Sequence, residues 1–352
     1  WKGRVSGCMV GKPVEVLSMT RGHDGLTDYL RRAEALPLRD YVPLVGDPTT
    51  AGVDPSCCRD QLDHAVPDDD INYTVLALLI VEQHGLDFTT ADVGRAWLRH
   101  LPGAMTFTAE REAYVDLLGR AGMGFTFGAE PQFDLAECSD NVYNDWIGAQ
   151  IRADLYGWIS PGQPELAAEL AGRDAALSHR GEGVRGAKAV AALGAAIPTA
   201  ATLSEAIEVA MALLPPDSDC VAAMELGLRT AVDGDGPEAI HRRYEGLSPV
   251  HTVNNLALVV WGLVRGEDDY ATAVGDTVAA GWDTDCNGAT VGGLWGLTGR
   301  PIPEHFTTRW AGRVHTSLAG TGELEIDDLI RRTVAVVTGP SPSTPAPRHE
   351  PS

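Results

Sequence analysis

Apolar and small residues recur at helical spacing along most of this chain, and no sustained alternation of apolar and polar positions appears. Residues 74–84 (TVLALLIVEQH) are apolar on nearly every side and stop at Gly85, a favourable helix end. A helix that is apolar all round belongs in a core. Residues 166–178 and 188–197 read the same way. Asn255 has the chemistry of a helix cap, and after it Leu256, Val259, Val260 and Leu263 fall on one stripe. Residues 269–280 predict a further helix. Residues 286–297 carry Gly288, Gly292, Gly293 and Gly296, which weaken a helix but let a neighbour's backbone come close. With no run of β-branched residues at period two, the expected fold is all-α, with many helices packed in layers.

No shift in composition marks a boundary before about residue 336. Residues 1–335 therefore read as one domain, and the Pro/Ser-rich segment 336–352 as a disordered tail. Residues 40–67 are rich in Pro and Gly and are long enough for a functional loop.

Charge narrows the function. The 352 residues include 27 Lys+Arg against 49 Asp+Glu, a formal charge of −22. Such a chain repels phosphate backbones, so neither a nucleic acid nor an anionic membrane is an expected partner. No uncharged apolar run reaches membrane-span length, and the opening residues lack the apolar core of a signal peptide. The expected location is cytoplasmic. The six cysteines form no CxxC pair and are too sparse for a disulfide scaffold, which agrees with a reducing compartment.

The candidate chemistry lies in two acidic segments. Asp68, Asp69 and Asp70 follow Pro67 and directly precede the apolar run 74–84. Adjacent carboxylates repel one another and are costly beside apolar surface. Helix capping accounts for one or two of them, and three also suit a hard divalent cation. Asp283 and Asp285 flank Thr284 at the mouth of the glycine-rich run. A lone D-x-D is weak, because aspartates cap helices. Two such clusters, each before an apolar helix, form a stronger set of oxygen donors for Mg²⁺ or Mn²⁺.

Three widely spaced segments resemble motifs of the ADP-ribosylglycohydrolase family, which includes the dinitrogenase-reductase-activating glycohydrolases. Residues 7–15 (GCMVGKPVE) resemble its G-D-x-x-G segment ending in an acid. Residues 68–71 (DDDI) fall where it has T-D-D-T, and residues 281–288 (GWDTDCNG) resemble its G-x-D-T-D-T-N-x segment. The resemblance spans residues 3–298. It implies an all-α, multi-helix orthogonal bundle and a centre of two divalent metal ions, Mg²⁺ or alternatively Mn²⁺. Asp69, Asp70, Asp283 and Asp285 match its metal aspartates, and Asp68 takes the place of a threonine while keeping an oxygen donor. Glu15 matches a glutamate that in some members closes over the site. Cys8 replaces an aspartate, and Cys286 replaces a threonine with a poor Mg²⁺ ligand. Residues 147–152 (IGAQIR) resemble a loop that contacts ribose and diphosphate, which makes Gly148, Ala149 and Gln150 substrate-binding candidates, though a plain helix start explains them as well. Ser178-His179 resembles a step lining the cleft, so His179 is a further candidate. Trp282 and Tyr73 sit beside the acidic clusters and are suited either to stacking on a substrate ring or to core packing.

The implied activity is hydrolysis of an N- or O-glycosidic bond at the anomeric carbon of a ribose. Glu15, Asp69 and Asp285 are the catalytic candidates, since a carboxylate must take the proton of the attacking water. The substrate is a protein-linked or small-molecule ADP-ribosyl or ribosyl compound. The departures at Cys8, Asp68, Ile71 and Cys286 make a small NAD-derived metabolite an alternative. Two rival readings are a non-catalytic ADP-ribose or nucleotide binder and a metal-dependent phosphohydrolase.

Overall fold

The smallest residues decide which helices touch. In the computed structural model, which describes residues 1–339, the long helices are α1 (Lys2–Gly11), α2 (Glu15–Arg32), α3 (Asp69–His84), α4 (Thr108–Arg120), α5 (Gly148–Ile151), α6 (Pro164–Ala175), α7 (Gly181–Ala196), α8 (Asp219–Val232), α9 (Thr252–Arg265), α10 (Tyr270–Ala280), α11 (Thr284–Gly296) and α12 (Ile326–Thr338), with α5 a single turn among them. The helices Thr90–His100 and Leu203–Ala212, with shorter helical turns, link them. Two three-residue strands, β1 (Arg313–His315) and β2 (Glu323–Glu325), pair antiparallel with Val314 opposite Leu324. The all-α expectation is met, and no described helix is long and apolar enough to cross a membrane.

Besides α1, buried from Gly3 to Gly11, three helices are enclosed over most of their length. Residues 70–78 of α3, 252–263 of α9 and 284–295 of α11 are buried without a break. Each keeps its polar residues near its N-terminal end: Asp70, Asn72 and Thr74; Thr252, Asn254 and Asn255; Asp285, Asn287 and Thr290. Buried polar groups need partners. Asn255 Nδ2 donates to the carbonyls of Pro249 (2.7 Å) and His251 (2.8 Å), while its Oδ1 accepts from Asn287 Nδ2 (2.7 Å) and the Asp283 amide (3.4 Å). The start of α9 is thereby tied to the start of α11.

Boundaries differ from the sequence expectation in informative ways. α3 starts at Asp69, so the acidic triplet forms its cap and first turn. α9 starts at Thr252 and is capped by His251, whose Nδ1 accepts from the Val253 amide at 3.2 Å. Asn255, expected as the cap, lies inside the helix instead, with its side chain committed to the bonds just described. α12 runs to Thr338, so residues 336–338 belong to a helix rather than to a tail. The disorder expected for the rest falls on residues 340–352, outside the described residues.

α1 and α11 pack backbone to backbone. A Cβ built at Gly3 would sit 2.1 Å from the Gly292 carbonyl oxygen, one at Gly7 2.0 Å from that of Gly288, and one at Gly11 2.1 Å from that of Thr284. The contact ascends four residues at a time on α1 and descends by four on α11, so the helices run antiparallel. Thr284 Oγ1 closes the end by donating to the Gly11 carbonyl at 2.8 Å. The residues just beyond α1, Lys12 and Glu15, are therefore held against the first turn of α11. Pro13 is fixed from outside by the 40–67 loop, where the Asp54 amide donates to its carbonyl at 2.9 Å.

A methyl group at this contact must displace main chain, which costs about 2–4 kcal/mol or prevents folding. Gly7→Ala is expected to lose that much in denaturant unfolding. Gly119→Ala in α4, where a Cβ meets nothing within 4 Å, is expected to be neutral or to gain up to about 1 kcal/mol. Equal stability of the two variants would contradict the close contact.

Candidate active site

The α1–α11 contact delivers the acidic segments to one place. A cavity of about 440 Å³ opens there, its polar wall formed by Lys12, Glu15, Asp69, Glu110, Asp283 and Cys286. Its apolar side carries Phe107, Trp146, Ile147, Ile151 and Val250. Ligand atoms lie within 4.8 Å of one another in three groupings: Glu15–Asp283–Asp285, Asp70–Asp285–Cys286 and Cys8–Asp68–Asp70. Aspartates more than two hundred residues apart in sequence thus meet in space. Asp69 belongs to none of the three groupings, yet it faces the cavity.

Each carboxylate has a different set of partners. Asp68 caps α3, accepting from the Asp70 amide at 2.9 Å, and takes the Lys12 ammonium at 2.5 Å. Burial alone would push its carboxyl up, but Lys12 and the amide hold it below the ordinary range. Asp70 accepts from Arg4 at 3.2 Å, while Arg4 also binds Asp154 at 2.7 Å and the Asp70 carbonyl at 2.8 Å. Asp70 Oδ2 and Asp283 Oδ1 are buried with no hydrogen-bond partner. Burial raises the carboxyls of Glu15, Asp69, Asp70, Asp283 and Asp285, and neighbouring carboxylates raise them further: Asp285 acts on Glu15 and Asp283, and Asp68 on Asp69, Asp70 and Asp285. Among the described residues, no Lys, Arg or His nitrogen lies within 4.0 Å of the carboxylates of Glu15, Asp69, Asp283 or Asp285.

Two charged lining residues escape sequence reasoning, as do the aromatic and apolar wall residues Phe107, Trp146 and Val250. Glu110 lies in α4, a helix whose sequence gives no sign of a buried acid. It is 2% exposed and held by Arg152, which also binds Asp174 at 2.6 Å. Burial pushes its carboxyl up to about 6 even against the Arg152 charge. Gly148 lets it approach the cavity, since a Cβ at Gly148 would fall 2.2 Å from Glu110 Oε1. Lys12 is the other, and only its position directly after Gly11 hints at its role.

The substrate-binding candidates divide. Gly148 lines the cavity. Ala149 and Gln150 are buried beside it, and Gln150 Oε1 accepts from Thr252 Oγ1 at 2.8 Å. His179 is 1% exposed, with Nδ1 at 2.8 Å from Ser178 Oγ, and burial together with the Arg152 charge holds its ring well below the ordinary histidine value. Gln150 and His179 are thus part of the packing behind the cavity wall. Trp282 lies against His241, ring centroids 4.3 Å apart, and does not line the cavity, and its backbone takes a left-handed φ of 59°. Tyr73 is buried against Trp97 and Arg152. Cys8 is fully buried behind Asp68 and Asp70, and all six cysteines are free.

The fold thus gathers buried aspartates at the mouths of two enclosed helices, with the oxygen donors that a divalent cation takes. The family model described as ADP-ribosylglycohydrolase matches residues 1–341. The chain belongs to the ADP-ribosylglycohydrolase family, whose members hydrolyse ADP-ribosylated substrates and are generally metal-dependent. A solved structure described as an ADP-ribosylglycohydrolase-related protein complex is similar at a TM-score of 0.50 and 20% identity, covering 96% of this chain and 99% of that one. At that identity the likeness shows the fold alone. No curated protein matches this chain in sequence.

The raised carboxyls fix a pH dependence. A group that binds its proton more tightly folded than unfolded withdraws stability as pH rises from the unfolded value, about 4, through the folded one. Six of the carboxyls described above, Glu110 among them, act in that sense. Asp68 acts in the opposite sense over an interval below the ordinary carboxylate range, and His179 opposes the six as pH falls below the ordinary histidine value, but as a single group against several. Ion-free protein is expected to melt at a lower temperature at about pH 8 than at about pH 5.5, and Mg²⁺ or Mn²⁺ to raise the melting temperature more at the higher pH. Differential scanning fluorimetry reads both effects. Equal or absent ion-induced shifts at the two pH values would remove the cluster as a cation site.

Proposed function

We propose that this chain is a divalent-metal-dependent glycohydrolase that cleaves the bond between the anomeric carbon of a ribose and its N- or O-linked substituent in an ADP-ribosyl or ribosyl compound. The observation that carries the reading is the meeting of Glu15, Asp283 and Asp285 as an all-oxygen set beside Asp69 at one cavity, in a chain of this family. The buried Asp283 Oδ1, which lacks a partner, fits a hard ion such as Mg²⁺ or Mn²⁺. When bound, such an ion supplies an anchor for ribose hydroxyls and lowers the pKa of water.

The chain's own residues supply the remaining parts. Asp69 faces the cavity, lies outside the close ligand groupings and pairs with no protein cation, so it is the carboxylate free to accept the proton of the attacking water. Its carboxyl, raised by burial and by Asp68 and Asp285, suits proton transfer nearer neutral pH. Glu15 and Asp285 then act mainly in holding the ion. The wall formed by Phe107, Trp146 and Val250 excludes water from one side and offers aromatic surface to a base or sugar. A volume of about 440 Å³ lies in the range of small-ligand sites, which suits a ribosyl or ADP-ribosyl group whether free or carried by a protein.

Product analysis by mass spectrometry with ADP-ribosyl compounds and excess Mg²⁺ tests this. Release of intact ADP-ribose is the expected result. AMP with ribose phosphate would instead identify a phosphohydrolase, and saturable binding without product a binder. Asp69→Asn is expected to lower kcat by at least about 10²-fold while leaving ion binding and helicity in place. Asp283→Ala is expected to lose both turnover and ion binding. An Asp69→Asn chain with normal kcat would reassign the proton acceptor.

A further inference from the structure

The two sides of the acidic cluster are neutralised differently. Asp68 takes the Lys12 ammonium at 2.5 Å, and Asp70 receives a share of Arg4 at 3.2 Å, so protein cations serve this side. Glu15, Asp69, Asp283 and Asp285 receive none within 4.0 Å among the described residues. The donor chemistry divides along the same line. The groupings that include Asp70 each contain a cysteine, Cys8 or Cys286, whereas Glu15–Asp283–Asp285 is oxygen throughout. A cysteine sulfur is a soft donor and a poor ligand for a hard ion.

Lys12 is not an ordinary surface lysine. Its main chain is held between the Gly11–Thr284 backbone contact and Pro13, and its side chain is only 18% exposed while lining the cavity. One of its three donors is used on Asp68, which leaves two. An ammonium held in this way is a compact point charge, suited to a hydroxyl or phosphate oxygen of a ligand.

We infer that this cleft takes a single divalent cation, on Glu15, Asp283 and Asp285, and that the Lys12 ammonium against Asp68 occupies the place of a second cation. The inference rests on the reading above that the cleft binds a divalent ion at all. It changes the site's make-up, because one of its positive charges is part of the chain and stays when the ion leaves.

Mn²⁺ stoichiometry on the full chain, measured by equilibrium dialysis with EPR detection of free ion, tests the inference. The wild-type chain is expected to bind one Mn²⁺. Lys12→Ala and Lys12→Met, which free Asp68, are expected to bind two, and adding Asp68→Asn to Lys12→Met is expected to return the count to one. Two ions in the wild-type chain would overturn the lysine's role and leave the metal reading standing. One ion in lysine variants that retain wild-type circular dichroism would also overturn the lysine's role. No ion in any chain would overturn the metal reading itself. If both lysine variants fail to fold, the wild-type count alone decides.

Discussion

The structure depends on two helices whose main chains touch. Helix packing normally keeps axes 8–10 Å apart because side chains intervene. Here Gly3 and Gly7 of α1 meet Gly292 and Gly288 of α11 with no side chain between them, and Gly11 meets Thr284 at the end. Dispersion and burial are gained along the whole length of the contact. Its greater consequence is positional. The four-residue spacing on both helices allows only one register at this closeness, since a slip by one residue would drive Ser6 or Cys8 into the facing main chain. The end of α1 is thereby fixed against the start of α11, and the placement of Lys12, Glu15, Asp283 and Asp285 follows from that register.

That fixation explains how an unfavourable charge arrangement persists. Buried carboxylates near one another raise the energy of the ionised state, and in an unconstrained loop they would move apart or turn to water. Asp283 has no such freedom. It sits directly before α11, its amide is held by Asn255, and Trp282 before it is in a left-handed conformation that costs a non-glycine residue of order 1 kcal/mol. Asp69 and Asp70 are locked into the first turn of an enclosed helix. Local strain and like-charge repulsion are thus held by packing elsewhere, the pattern expected of a site preorganised for a cation.

Much of this was readable from residues alone, and the parts that were not share a cause. The helices over 74–84, 188–197 and 269–280 announced themselves through apolar runs and end signals, and the acidic segments through carboxylates placed where burial penalises them. The glycines at 288 and 292 advertised a close contact but not its partner, because the matching glycines at 3 and 7 lie nearly the whole chain away. Glu110 was invisible for the same reason: its burial depends on Arg152 and on the missing side chain at Gly148, and neither is near it in sequence. Gln150 and His179 resemble substrate contacts in sequence, but their side chains turn to Thr252 and Ser178. Periodicity reports which face of an element is apolar. It does not report which distant element takes up the polar groups.

A net charge of −22 would seem to oppose an anionic substrate such as an ADP-ribosyl compound. At the cavity the balance is local. Lys12 lines the wall itself, and Arg152 stands one residue behind it through Glu110. Charges on the outer surface are screened over about 8–10 Å at physiological ionic strength, whereas those in a partly enclosed cavity are screened much less. The potential a ligand meets is therefore set by the ionised groups at the wall. A divalent ion on the all-oxygen set would offset two of the negative charges at that wall. On the proposed reading, ion binding therefore favours a substrate phosphate beside Lys12 as well as turnover.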